Sequence, residues 1–278
     1  MLKKRLIPCL FLKNGLLVRS EKFTYHQVLG DPIHQVERIN AWCADELIYV
    51  DISDDEYYDL RRDDLKVKCM KNIYSIISHV SKECFIPLTF GGNIRTVEDI
   101  TQRLKYGADK ILINTITHEN PMFITESARI FGSQCIVVGI DIKINENEKY
   151  EVYSHHGKTA TGKDPVEWAK EVEKLGAGEI FLNSIDLDGT ARGYDINLIK
   201  SVAENVNIPV IACGGVGNFE HFVDGINKGN ASAVAAGNIF NYTENSVIKA
   251  KRVMQKNGIS IRSIIKIDDY SDDDSTKT

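Results

Sequence analysis

Eight short runs of apolar residues punctuate the chain, and amphipathic segments separate nearly all of them: "RLIPCLFL" from 5, "ELIYVDI" from 46, "IPLTF" from 86, "KILIN" from 110, "CIVVGIDI" from 135, "EIFLNSI" from 179, "IPVIAC" from 208 and "ASAVAAG" from 231. Continuous apolar runs of this length suit strands buried on both faces, and intervening helical segments supply the crossovers that parallel strands require. The pattern predicts a single α/β domain over residues 1–262, a closed (β/α)8 TIM barrel rather than an open sheet.

Helix signals fall between the runs. In "GDPIHQVERINAWCA", Asp31 is placed to cap, Pro32 suits the first turn, and Ile33, Val36 and Ile39 recur at helical spacing. "DPVEWAKEVEKLGAGE" repeats that Asp-Pro opening, and Asp195 is placed to cap a later helix. Gly107, Gly176 and Gly229 are expected to end helices in the left-handed conformation. "SDDEYYDLRRDD" at 53–64 reads as a polar insert, and "INENEKYEVYSHHG" after the fifth run reads as a β-hairpin excursion. The stretch 263–278 is acidic and too poor in apolar residues to pack, so it is expected to be a disordered tail.

The two halves resemble each other. "IPLTFGGNI" at 86–94 parallels "IPVIACGGVG" at 208–217, and "GADKILINT" from 107 parallels "GNASAVAAGN" from 229 at the same offset. Under this half-barrel repeat, Phe11 in "IPCLFLKNG" stands where Asp141 stands in "VVGIDIKIN".

Composition narrows the partners. With 278 residues, a net charge of -5 and 43% hydrophobic content, the chain can bury a large core and has no basic field for nucleic acid. No apolar stretch approaches the roughly 20 residues a membrane span needs, and Lys13 and Asn14 interrupt the opening run, which is read as a strand. A cytoplasmic protein with no membrane partner is expected. Cys9, Cys43, Cys69, Cys84, Cys135 and Cys213 show no paired spacing for zinc or redox work and are expected to be reduced, buried hydrophobes. No metal and no cofactor are called for.

A (β/α)8 barrel gathers its chemistry at the C-terminal ends of its strands. There "FGGN" (90–93), "INT" (113–115), "CGG" (213–215) and "AGN" (236–238) place small residues and backbone N–H groups of the kind that hold phosphate. Paired copies point to a ligand with two phosphates; tight turns are the plainer explanation. "SIDLDGTARGYD" (184–195) reads as a substrate-facing loop carrying Asp186, Asp188, Gly189 and Thr190. Asp141 ends a buried strand, where Lys143, a substrate or water must satisfy it, and it is the candidate acid/base group. At the opposite end Arg5, Glu46, Lys110 and Glu179 balance in sign and can ring the barrel bottom.

These residues resemble HisF, the cyclase subunit of imidazole glycerol phosphate synthase, through "KRLIPCL", "GDP", "DELIYVDI", "GADKILINT", "FGSQ", "SIDLDGT", "RGYD" and "EHF" in family order. The resemblance implies a synthase/lyase barrel that receives ammonia from a HisH-like glutaminase on its N-terminal face. It matches Arg5, Glu46, Lys110 and Glu179 to the ammonia gate, and Gly92, Asn93, Asn114, Thr115, Asp188, Gly189, Gly215, Gly237 and Asn238 to the phosphate-binding positions, although Asn93, Gly237 and Asn238 differ from the commoner residues. The family closes its ring with two aspartates; Asp141 matches the second and Phe11 replaces the first. That departure favours the HisF-like branch that, with a glutaminase and a sugar amidotransferase, serves sugar amidation in polysaccharide biosynthesis. The alternatives are a working cyclase of histidine biosynthesis, a non-catalytic scaffold that activates a glutaminase, and a generic phosphate-binding isomerase barrel.

Overall fold

All eight apolar runs form strands, and the amphipathic segments between them form helices. The computed structural model describes residues 3–54, 57–58 and 70–262, so most of the 53–64 insert and the 263–278 tail lie outside the described residues. In chain order, β1 (Arg5–Lys13), β2 (Leu16–Glu21) and β3 (Tyr25–Gly30) precede α1 (Pro32–Ala41). Then come β4 (Leu47–Asp51), α2 (Ile73–Glu83), β5 (Leu88–Gly91), α3 (Val97–Lys105), β6 (Lys110–Ile113), α4 (Thr115–Glu119), α5 (Met122–Phe131) and β7 (Ile136–Ile144). The excursion β8 (Tyr150–Ser154) and β9 (Thr159–Ala160) leads to α6 (Pro165–Lys174) and β10 (Glu179–Ser184). The last stretch is α7 (Ile196–Ala203), β11 (Val210–Cys213), α8 (Glu220–Asn227), β12 (Ala233–Ala236) and α9 (Ser246–Lys256).

Strands β1, β4, β5, β6, β7, β10, β11 and β12 pair in that order, all parallel, and β12 pairs back onto β1 to close the barrel. Helix starts follow the expected chemistry: Asp31, Asp164 and Asp195 each accept backbone N–H groups at the openings of α1, α6 and α7. Gly107 and Gly176 take positive φ, but after α8 it is Asn230, not Gly229, that does so. An asparagine tolerates that conformation, and Gly229 instead lies close to Gly225 and Ile199, where a Cβ would stand 2.7 Å from the Gly225 carbonyl. Cys9, Cys135 and Cys213 are buried as expected, Cys43 and Cys84 are only half-buried, and Cys69 lies outside the described residues. Among the described residues no helix is long and apolar enough to cross a membrane.

The hairpin β2–β3 was not foreseen. Its turn puts Lys22 and Phe23 at φ +52° and +57°, a geometry usually carried by Gly or Asn, so no turn residue announces it. At the other end of the barrel, α9 is tied down by Lys251, whose Nζ meets Asp45 at 2.7 Å with both side chains about 1% exposed. The second carboxylate oxygen of Asp45 accepts the Leu6 N–H at 2.8 Å. Asp45→Ala leaves a buried, unpaired ammonium, and urea unfolding should show a loss of about 3–5 kcal/mol. A loss near zero would mean that this pair does not hold α9.

Candidate functional site

Alternation along β1 turns Ile7, Cys9 and Phe11 into the barrel, where they pack with Ile48, Leu112, Val137, Phe181 and Ile211 in a column separate from the outer shell of the core. The same period of two turns Val137, Gly139 and Asp141 inward from β7. Both strands overrun the barrel and continue into antiparallel hairpins. Phe11 pairs with Val18 of β2, and Asp141 pairs with Tyr153 of β8. Phe11 and Asp141 are therefore equivalent positions of the two half-barrels, and both line the inner cavity at the mouth.

Asp141 is 8% exposed, and its carboxylate is held by two amides. Asn114 Nδ2 donates to Oδ2 at 2.7 Å, and Asn183 Nδ2 donates to Oδ1 at 3.0 Å. Burial pushes its pKa up to about 6, against the pull of those two hydrogen bonds. Lys143 is not its hydrogen-bond partner: its ammonium donates to the Gly157 carbonyl and sits 4.9 Å from the centre of the Tyr153 ring. Tyr153 on β8 and Gly157 in the turn between β8 and β9 stand close enough to draw that lysine aside. Sequence reasoning missed Asn183, although it lies next to Asp141 in the parallel register of β7 and β10.

Asp51 was missed too, and it ends a buried strand just as Asp141 does. It lines the same inner cavity but is 3% exposed. Its Oδ1 accepts from the Ser53 N–H and hydroxyl, and its Oδ2 accepts from the Tyr58 hydroxyl at 2.8 Å. Burial raises its pKa.

Phe11 faces the cavity with Phe23, ring centres 6.1 Å apart and edge-on at 75°. The β2–β3 turn that carries Phe23 is bound to the loop after β10. Lys22 N–H donates to the Asp188 carbonyl at 3.0 Å, and the Ser20 hydroxyl donates to the Asp188 carboxylate at 2.7 Å. Asn238 Nδ2 donates to the Ser20 carbonyl at 2.9 Å. Asp188 and Asn238 thus hold the hairpin over the mouth. Asp186 similarly accepts the Ile144 N–H at 2.8 Å, bracing the second hairpin.

The small-residue motifs fall into two groups with Phe11 between them. Gly92, Asn93, Asn114 and Thr115 line the inner cavity, about 150 Å³, together with Asp141. Asp188, Gly189, Gly215, Gly237 and Asn238 line a narrow cleft of about 20 Å³ on the other side. Two of these glycines are demanded by the fold itself: Gly92 has φ +98°, and a Cβ there would stand 1.9 Å from the Asp51 carbonyl; Gly215 has φ +105°, and a Cβ there would stand 2.0 Å from the Gly193 carbonyl. Outside Phe11 and Phe23 the mouth widens into a cavity of about 550 Å³ lined by Lys13, Lys22, Lys143 and Lys158, with Asp54 as its acid among the described residues. His26 and His156 also line it, their pKa values lowered chiefly by burial.

At the N-terminal end, Arg5 meets Glu46 at 2.8 Å and Glu179 at 3.0 Å, and Lys110 meets Glu46 at 3.1 Å and Glu179 at 3.0 Å. The four expected charges close into one alternating ring across the barrel axis.

A closed parallel barrel with a buried acid and small-residue shelves at the C-terminal ends of its strands is the architecture of the (β/α)8 enzymes. Residues 5–246 match the family model described as "Histidine biosynthesis protein". The chain belongs to this family, the HisA/HisF-type barrels.

The raised pKa of Asp141 has a measurable consequence. Its carboxyl is easier to bury protonated than ionised, so its contribution to stability is fully present below about pH 4 and is lost as pH rises through about 6. Asp141→Asn removes that loss. Between pH 4 and 7.5 the stability of the variant relative to wild type should rise by up to about 3 kcal/mol in urea unfolding. A flat difference across that range would show that Asp141 titrates normally.

Proposed function

We propose that the chain is a HisF-type subunit of a glutamine amidotransferase complex, receiving ammonia from a HisH-like glutaminase on the N-terminal face and delivering it to a phosphorylated acceptor at the mouth. The observation that carries this reading is the ring of Arg5, Glu46, Lys110 and Glu179, with the apolar column above it leading to Asp141. A shaft lined with apolar side chains suits a small neutral molecule and is costly for an ion. In this reading the four charges are the gate, and the shelves of Gly92, Asn93, Asn114 and Thr115 and of Asp188, Gly189, Gly215, Gly237 and Asn238 take the acceptor's phosphates. The lysines of the outer cavity support an anionic acceptor.

Phe11 turns the reading away from imidazole formation and toward ammonia supply for sugar amidation in polysaccharide biosynthesis, with a sugar amidotransferase as a further partner. A phenyl ring moves no proton, and losing one of two cooperating acid/base groups costs factors of about 10² to 10⁴. A working cyclase is the second reading, and Asp51 is the observation that favours it, as another carboxylate on the inner cavity. Its oxygens are committed to Ser53 and Tyr58, which weighs against it.

Given ammonia and the ribulose-type histidine precursor, the wild-type protein should turn over slower than ordinary cyclases by about 10² or more, and Phe11→Asp should recover part of that loss. Rapid cyclisation by the wild type would overturn the divergence. For the gate, Lys110→Met should depress transfer driven by glutamine in the complex and spare transfer driven by free ammonia. Equal effects on both would remove the gate from the reading.

A further inference from the structure

Of the seven histidines, His34, His79, His155 and His221 make hydrogen bonds to neighbouring groups, and His118 lies against Trp168. His26 and His156 remain. Neither imidazole has a hydrogen-bond partner among the described residues, and both line the outer cavity of about 550 Å³. They arrive from different hairpins: His26 from β3, opposite Ser20 of β2, and His156 from the turn between β8 and β9. That second turn is pinned. His155 and His156 take φ +51° and +56°, a conformation that side chains disfavour. The Thr115 hydroxyl accepts the His155 N–H at 3.3 Å, the His155 ring meets Glu119 at 3.2 Å, and the Lys143 ammonium donates to the Gly157 carbonyl. A strained turn braced on three sides presents His156 to the cavity.

The charge around these imidazoles is one-sided. Among the described residues, four lysines (Lys13, Lys22, Lys143 and Lys158) face the cavity against Asp54, which leaves +3 with both histidines neutral and +5 with both protonated. His26 feels Lys13, His156 and Asp54, and His156 feels Lys158, Asp54, His155 and Asp51. Burial and the neighbouring cations hold both rings below the ordinary histidine pKa. An anion seated among them reverses that balance, because each imidazolium gains a partner. A single phosphate brings only about −1.5 to −2 of charge, whereas two linked phosphates match these walls. The outer cavity is also more than three times the volume of the inner one, about 550 against 150 Å³, so it has room for the larger part of an acceptor.

We propose that the outer cavity is a diphosphate subsite, in which the four lysines supply the field and His26 and His156 supply hydrogen-bond donors. The inference rests on the reading of the mouth as the seat of a phosphorylated acceptor and deepens it: the acceptor carries a diphosphate group outside the two glycine shelves.

Calorimetry of the full chain at low salt should show one inorganic pyrophosphate bound per chain, about tenfold or more tighter than inorganic phosphate. ADP binding at least as tightly as pyrophosphate would assign an esterified diphosphate; weaker ADP binding would assign the free ion. In NMR titrations of the histidine rings, saturating pyrophosphate should raise the pH midpoints of His26 and His156 and leave those of His34, His79 and His221 in place. His156→Gln and Lys158→Gln should each weaken pyrophosphate binding by about tenfold with unchanged thermal midpoints. Lys22→Gln serves where either variant fails to fold. Equal affinity for phosphate and pyrophosphate, more than one ion per chain, or midpoints of His26 and His156 that stay in place would overturn the subsite. Pyrophosphate binding without glutamine-driven transfer would keep the subsite and sink the ammonia reading; transfer without pyrophosphate binding would do the reverse.

Discussion

Parallel pairing with a side-chain period of two is the constraint on which the mouth depends. Once β1 lies between β12 and β4, and β7 between β6 and β10, every second side chain of each must face the axis. Phe11 and Asp141 fall on that inward series and at the first residue of each hairpin. A slip of one residue in either strand would turn them into the outer core and expose Leu10 or Ile142 to the axis instead. The site is therefore built by register before any of its own interactions form.

The two ends of the axis solve the burial of charge differently. At the bottom, Arg5 and Lys110 each touch both Glu46 and Glu179, so each charge of the ring has two opposite neighbours and the ring carries no net charge. At the top, Asp141 has no cation bonded to it and relies on two neutral amides. Hydrogen bonds to the ionised form pull its pKa down, and burial outweighs them, which leaves it at about 6. The apolar column between the two ends keeps one electrostatic problem from reaching the other.

Strands and crossovers were readable because buried parallel strands are nearly all apolar, and because Asp-Pro openings and Asp caps announce helices. The bottom ring was readable because charges at strand starts in a barrel converge on the axis. The β2–β3 hairpin was not, since its turn places Lys22 and Phe23 at positive φ without Gly or Asn, and the half-exposed "YHQVLG" lacks a clean alternation. Asn183 and Asp51 were hidden for a different reason: what they touch depends on strands distant in sequence, and neither asparagine nor a strand-ending aspartate signals a partner by itself. Lys143 misled because nearness in sequence to Asp141 counts for less than the hairpin carbonyl that draws it away. The glycine pairs are needed by the fold at Gly92 and Gly215, so their presence alone argues for tight packing as much as for phosphate.

The half-barrel repeat makes the mouth's asymmetry meaningful. The strand-end position of one half carries Phe11, with Phe23 packed against it, and the equivalent position of the other carries Asp141, while polar groups of both halves, Asp51 and Asn114 from the first and Asn183 from the second, share the inner cavity. Two facing carboxylates would raise one another's affinity for protons and leave one of them protonated as an acid. Phe11 cannot couple in this way; the Asp188 charge adds a smaller upward push on Asp141 and Lys143 a downward pull, and a carboxyl with pKa about 6 is roughly nine-tenths ionised at pH 7. An ionised carboxylate is a proton acceptor. Closing an imidazole ring calls for both acid and base, whereas attack by ammonia on an electrophile calls first for a group that takes the proton the nitrogen sheds. Under the proposed ammonia-supply function, Asp141 is that group, so Phe11 at the first strand end is compatible with the intact charge ring and apolar column beneath it.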